Sequence, residues 1–484
     1  MNRDSCGRIL DPWALSRRDL LRQTSAGCGW LALAGMLANE SQAAPQEAIG
    51  NALSARPPQF PAKAKRIIWL FMGGGPSHVD TFDPKESLVK YDRQEIPIAL
   101  PGHLRDASKK ILASPFKFQQ HGKSGLPISD LFPNVAKHAD DLCVVRSMHC
   151  NSIDHTGATL QTFTGMTNLP RPGIGCWLLY GLGTENLDLP GYVVMGPDQQ
   201  SGSGTYSSRF LPACFQGTKV EWDPKHLTNG RTPVPNLVSA AKSTTEQQRV
   251  QLDLLNRINK MHAQQRAEPD PLDARTQSFE LAFRMQASAP EAFNWQAETA
   301  ATHKLYGLDN PTTRDFGHRC LLARRLSERG VRFVQVQCGK GDNLDWDQHG
   351  DLEKGHRKNS AAVDLPIAGL LEDLKQRGLL EDTLVFWGGE FGRTPTSQGT
   401  NGREHHPHGY SIWMAGGGVK PGYAHGATDE FGWYAVENKV HVHDLHATIL
   451  HLMGIDHKQL TYRYSGRDFR LTDVHGEVVK EIIA

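Results

Sequence analysis

Arg66-Ile67-Ile68-Trp69-Leu70-Phe71-Met72 is a continuous apolar run that stops at Gly73-Gly74-Gly75-Pro76. A strand with one wet face would alternate polar and apolar residues; this one does not, so it must be covered on both faces. Comparable runs recur at 142–145, 192–195, 331–336, 383–387 and 411–414. Helical patterns lie between them. Val363, Ile367, Leu370, Leu371 and Leu374 share one face, with Pro366 expected near the helix start and Gly378 placed to end it. Cys320–Glu328 reads as a shorter helix leading through Gly330 into a strand. Helix–Gly–strand units of this kind predict an α/β fold: a mostly parallel sheet with helices on both faces. Residues from about 244 to 306 carry many helix formers and almost no strand signal, so a helical insertion or cap is expected over about 215–310.

The ends of the chain's 484 residues constrain it further. Ser16-Arg17-Arg18-Asp19-Leu20-Leu21, a short apolar stretch to about Ala38 and small residues at Ser41–Ala44 have the layout of a twin-arginine signal peptide over 1–44. A Pro-rich linker is expected over 45–64, and one domain over 65–484. This places the mature protein in a bacterial periplasm or outside the cell, and no later segment is long and apolar enough to span a membrane. With 53 basic against 52 acidic residues the formal net charge is +1, which gives no footprint for nucleic acid. Of eight cysteines, Cys6 and Cys28 would leave with the signal. The remaining six, with no CxxC, make neither a disulfide scaffold nor a zinc knuckle.

The 22 histidines are the compositional oddity, and their positions matter more than their number. In open α/β sheets ligands bind beyond the carboxyl ends of strands. Ser77, His78, Asp80 and Asp83 follow the first apolar run. His149, Ser152, Asp154, His155 and Thr156 follow the second. Asp342, Asp345, Asp347, His349 and His356 follow the 331–336 run, and Glu390 and Arg393 follow 383–387. Arg403, Glu404, His405, His406 and His408 precede the 411–414 run. A mixed carboxylate and imidazole set suits a divalent metal. The triple glycine has the wrong spacing for a dinucleotide fingerprint and reads as a turn bringing backbone close to a bound group. His441, His443, His446 and His451 surround a helix start and cannot all share one face, so they are expected to cap the helix or lie at the surface.

The segments GGGPSHVDTFDPK at 73–85, RSMHCNSIDHTGATLQTFTG at 146–165, WDQH at 346–349, GGEFGRTP at 388–395, GREHHPHG at 402–409 and VHDLHATILHLMG at 442–454 carry a family resemblance. The chain resembles the bacterial, secreted, sulfatase-like family known as domain of unknown function 1501, within the alkaline-phosphatase-like superfamily. The resemblance implies that fold, a divalent metal (Zn, Mn or Ca) and hydrolysis of phosphate, phosphonate or sulfate esters on a small molecule or polysaccharide. It implies metal ligands among Asp347, His349, His356, Glu390, His406 and His408. Asp80 or His78 would stand in for the acidic residue that ends the family's first strand. His155 or Thr156 would attack, with Arg393 and Arg403 gripping the anion and Ser77 at the substrate. Two departures stand out. The signature's histidine is Phe391 here, and His155 occupies the place of the sulfatase formylglycine cysteine. Formylglycine chemistry is therefore not expected. The alternative reading is a non-catalytic envelope protein that binds metal or anionic glycan on the same scaffold.

Overall fold

The computed structural model describes residues 51–100, 109–169, 171–199, 202–220, 234, 237, 244–263 and 271–484. The expected signal segment, 1–44, lies outside the described residues. The central sheet contains β1 (Arg66–Met72), β2 (Leu142–His149), β3 (Tyr192–Met195), β4 (Thr218–Val220), β5 (Phe333–Cys338) and β6 (Thr383–Gly388). A hairpin of β7 (Gly392–Gln398) and β8 (Gly402–His406) interrupts the chain before it returns through β9 (Tyr410–Ala415), β10 (Tyr423–His425) and β11 (Val440–His441). The order is β10-β2-β9-β6-β1-β5-β3-β4, with β11 also on β2. Every pairing in this sheet is parallel except those of β9 with β2 and β6.

The apolar run of β1 behaves as its composition requires. Ile68, Leu70 and Met72 enter one core cluster with Leu321, Leu322, Val363 and Leu370. Those partners come from α4 (Arg314–Glu328) and α5 (Leu352–Gln376). Ile67, Trp69 and Phe71 enter the other cluster with Phe163 of α1 (His155–Thr164) and Leu445 and Ile449 of α6 (Val442–Leu452). The six apolar β1 side chains, Ile67 to Met72, are fully buried, and at about 1.5–3 kcal/mol each they anchor the sheet between two helical layers.

Pro366 lies inside α5, not near its start, because the helix begins back at Leu352. The expected apolar face, Val363 to Leu374, is buried as a stripe. Helices α2 (Thr245–Ala263) and α3 (Pro271–Ala292) follow β4, and Met285, Ala289 and Ala292 join the α4–α5 core. Residues 52–64, read from the sequence as linker, run against the sheet unit with Leu53 buried and Lys63 N bonded to Leu452 O at 2.8 Å. All six described cysteines are buried free thiols. Among the described residues no helix is long and apolar enough to cross a membrane.

Candidate metal centre

The carboxyl ends of β1, β2, β5 and β6 face one edge of the sheet. Antiparallel β9 brings its amino end, and the β8 hairpin before it, to the same edge. Four side chains converge there. One ligand atom each from His155, Asp347, His349 and His405 lies within 4.8 Å of all the others.

Each is placed by a local device. His155 opens α1, whose N-cap Asp154 accepts from Gly157 N at 2.8 Å and from Ser152 Oγ at 2.6 Å. Asp347 sits on the loop after β5, anchored by the fully buried Trp346, whose N donates to Gly73 O at 3.1 Å. Here the glycine turn has its purpose. Gly74 has φ +108°, and a Cβ on it would stand 2.5 Å from Asp345 Oδ1 and from Asp347 N. The turn thus brings backbone close to the protein's own ligand loop. His405 lies on β8, one residue from His406; strand alternation sends the two to opposite sides.

The imidazoles share one polarity. His155 Nδ1 donates to Glu390 Oε1 at 2.6 Å, His405 Nδ1 donates to Ile153 O at 2.8 Å, and His349 Nδ1 donates to Gln398 Oε1. Those oxygens only accept, so every Nδ1 carries a proton and Nε2 is the ring nitrogen that faces inward, available to a metal whenever it is unprotonated. Inside, His349 Nε2 lies 3.0 Å from His405 Nε2 and 2.9 Å from Asp347 Oδ1. His405 Nε2 is 3.2 Å from that oxygen, and His155 Nε2 is 3.2 Å from Asp347 Oδ2. A metal ion between these atoms, or protons on the Nε2 atoms, satisfies imidazole nitrogens that face one another and a carboxylate. Ligand atoms at about 2.0–2.1 Å from a tetrahedral zinc stand about 3.3 Å apart, so the observed spacings fit a metal.

The electrostatics agree. Burial alone would lower His155, but the carboxylates of Asp347 and Glu390 beside it raise it to about 9. Asp347 raises His349 against burial as well. Burial would raise Asp347, yet the three imidazoles and Arg393 hold its carboxyl far below the usual range. Burial lowers His405 despite its contact with Asp347. Without a metal, the set can relieve itself only by taking up protons.

Other expected residues are engaged elsewhere. Glu390, expected among the ligands, holds His155 Nδ1 and accepts from Gly74 N at 2.9 Å. Arg393, expected to grip an anion, is fully buried: Nη2 reaches Asp347 Oδ1 at 2.6 Å and Nε reaches Gly75 O at 3.1 Å. Arg403 clamps Asp80 with Nε at 2.7 Å and Nη2 at 3.2 Å, both residues being fully buried. Arg403 outweighs burial and lowers the Asp80 carboxyl. Ser77 Oγ donates to Asp80 Oδ2 at 2.5 Å, and Ser77 N donates to His356 Nε2 at 3.1 Å. Burial depresses His356 to about 4, so it is a neutral acceptor. His78 Nε2 donates to Gly432 O at 2.8 Å and His406 Nε2 to Trp433 O. The His408 ring lies beside Tyr434. Thr156 is exposed on the first turn of α1, next to His155.

His405, and not the expected His406 or His408, is the ligand candidate of this segment; the GREHHPHG run marks the segment without marking which face is inward. Phe391 walls the cluster, its ring centroid 5.0 Å from that of His155 and 4.8 Å from that of His405. Cys150 lies beneath, 3.6 Å from Glu390 O, its thiol pushed up to about 12 by burial and so no ready nucleophile. His441 caps α6 as expected, whereas His443 and His446 are buried, not superficial.

A sequence profile for the family described as "Protein of unknown function (DUF1501)" matches residues 64–483. No curated protein sequence matches the chain. Similar solved structures include the PsFucS1 sulfatase from Pseudoalteromonas sp., at 12% identity and TM-score 0.35, covering 81% of this chain and 68% of that one. The lipoteichoic acid synthase LtaP from Listeria monocytogenes matches at 10% and 0.33, covering 87% and 78%. The phosphonate monoester hydrolase SpPMH from Silicibacter pomeroyi matches at 11% and 0.30, covering 81% and 73%. Likeness of that degree assigns no activity to this chain.

Proposed function

This chain belongs to the DUF1501 family, and from that premise we propose that it is an exported, metal-dependent hydrolase of phosphate, phosphonate or sulfate esters. The observation that carries the reading is the inward convergence of three Nε2 atoms on Asp347, with each Nδ1 tied to an oxygen. His155, Asp347, His349 and His405 would hold the metal, which supplies Lewis acidity toward an ester oxygen. Three imidazoles with one carboxylate suit zinc or manganese better than calcium, which prefers an all-oxygen shell. Glu390 accepts the His155 Nδ1 proton and so keeps Nε2 free for the metal. Thr156, exposed beside His155, is the hydroxyl we place as nucleophile; His155, as a ligand, no longer competes for that role.

The commitment of Arg393 and Arg403 to buried carboxylates and backbone oxygens favours a second reading. On that reading the centre binds metal or an anionic glycan without turnover. Metal analysis of the purified protein, followed by assays with p-nitrophenyl phosphate and p-nitrophenyl sulfate, decides between them. Stoichiometric metal with turnover lost in Asp347→Ala is the expected result. An inactive protein that retains metal or sulfated glycan supports the second reading, and a metal-free, inactive protein that binds no sulfated glycan overturns both.

A further inference from the structure

We propose that the substrate is an anionic glycan longer than one sugar, held beyond the metal centre by the cleft at the start of α6 and by the hairpin that stands on its rim. The inference rests on the hydrolase reading above and adds the substrate class and the surface that selects it.

β11 pairs in parallel with β2, His441 opposite His149, so the start of α6 reaches the same carboxyl edge as the metal ligands. A cleft of about 810 Å³ opens there. Asn151 lines it and accepts from His441 Nε2 at its Oδ1. The loop that carries Asn151 also caps α1 through Asp154 and holds His405 Nδ1 at Ile153 O. Asn151 is four residues from His155, a reach of at most about 14 Å. One loop therefore serves both sites.

Lys458 and Arg470 line the cleft and supply its charge. Among the described residues neither pairs with a carboxylate; Arg470 Nε donates to the backbone at Asp473 O. Of the two carboxylates in the lining, Asp444 spends both oxygens on backbone, accepting from His441 N at 2.9 Å and Glu477 N at 2.8 Å. Glu477 is exposed to solvent. Burial, and then neighbouring imidazoles, pushes His441 down to about 4 and His443 to about 3, so both are neutral. His441 uses both ring nitrogens, Nδ1 accepting from His443 N at 3.2 Å, and so has no lone pair for a metal. An anion fits this cleft better than a cation.

Lys458 and Arg470 also flank a hairpin, β12 (Tyr462–Tyr464) running antiparallel to β13 (Arg467–Phe469). Residues 457–470 hold Lys458, Arg463, Arg467 and Arg470 against Asp468 alone. Arg463 pairs with Asp468 at 3.2 Å and Arg467 with Asp473, which leaves Lys458 and Arg470 as the spare cations. The hairpin's aromatic rings form a platform. Tyr464, 49% exposed, stacks on Phe210 with centroids 5.2 Å apart, and Phe469 lies 5.0 Å from that ring. Exposed aromatic faces pack against the C–H faces of sugars, and ammonium and guanidinium groups donate to sulfate or phosphate oxygens. The cleft is much larger than one oxyanion and has room for the sugar that bears it. An isolated ester needs the metal centre alone. A cationic cleft followed by an aromatic platform suits a chain of sugars that repeats its charge.

The test titrates the purified mature protein with a size-defined dextran sulfate oligosaccharide in a calorimeter, with unsulfated dextran as the neutral control. Zinc content and melting temperature are measured on every variant. Dextran sulfate should bind and dextran should not. Lys458→Glu reverses an exposed charge in the cleft and should weaken dextran sulfate about tenfold or more, because like charges then face each other. Tyr464→Ala removes the exposed end of the platform and should weaken it about threefold to tenfold. Arg470→Gln stands in, with a loss of similar size, should either variant fail to fold. Lys137→Glu makes the same charge change on an exposed residue just before β2, at the opposite edge of the sheet, and should leave the affinity unchanged. Equal losses in Lys458→Glu and Lys137→Glu would overturn the inference, since net charge alone would then explain binding. Binding that vanishes on chelation or in Asp347→Ala, yet ignores Lys458→Glu and Tyr464→Ala, would overturn it while leaving the metal-dependent hydrolase standing. A protein that binds no dextran sulfate also overturns it, and zinc content with p-nitrophenyl ester turnover then reports separately on the hydrolase.

Discussion

Replacing Glu390 by glutamine isolates the difference between a metal ligand and a residue that orients one. In the structure Glu390 Oε1 takes His155 Nδ1–H at 2.6 Å and Gly74 N–H at 2.9 Å. The glutamine carbonyl can still accept both, so shape and hydrogen-bond count survive and only the charge is lost. A hydrogen bond to a charged group contributes about 1.5–3 kcal/mol and a neutral one about 0.5–1.5, so the loss at His155 is about 1–1.5 kcal/mol. At 1.4 kcal/mol per decade this corresponds to about tenfold weaker zinc binding. Glu390→Ala strips both donors of their acceptor and should reach about 100-fold, the upper range for outer-shell carboxylates. The assay is zinc competition against a chromophoric chelator at a fixed pH near 7.5, with metal content checked after dialysis. Unchanged affinity in Glu390→Gln would refute the argument that the Glu390 charge strengthens His155 as a ligand. Complete loss of stoichiometric zinc from that same variant would refute it in the opposite sense, since only a direct ligand behaves so.

His405→Ala should abolish tight zinc binding whereas His406→Ala should keep it and only lower stability; equal zinc losses in the two would show that the strand faces are misassigned. Asp80→Ala leaves Arg403 buried and unpaired and should destabilise the fold by about 3–5 kcal/mol in denaturant unfolding, and a change below 1 kcal/mol would contradict the buried pair. Acid should weaken the fold well above the carboxylate range. His356 and His446 are buried with pKa values depressed to about 4, so the unfolded chain, titrating near 6.5, binds more protons as pH falls below 6.5. Stability is therefore present above pH 6.5 and lost down to about pH 4, amounting to about 2 kcal/mol per group at pH 5. Denaturant midpoints that do not fall between pH 7 and pH 5 would reject this, and His446→Gln should make the slope shallower.

Much of the fold was legible because it is written in local terms. An apolar run such as Ile67–Met72 carries its two-faced burial in its composition, and Gly330 and Gly378 stop helices by their own backbone freedom. The same reasoning placed the chemically capable residues at strand ends, and so found His155, Asp347 and His349. It misplaced the start of α5, because Pro366 reads as a boundary from sequence while packing on both sides of it sustains a longer helix.

What the sequence determined, then, was the sheet, its covered faces and the edge to which His, Asp and Glu are delivered. Which of those residues meet was decided only by tertiary structure. His405 and His406 are neighbours of one chemistry, and the hairpin's pairing register, with His405 opposite Arg393, chooses the inward one. Arg393, Arg403, Glu390 and Asp80 all look available for a substrate in one dimension. In three, burial makes an unpaired charge too costly, so each finds its partner across the fold, and the roles left over for chemistry are those the pairing does not consume.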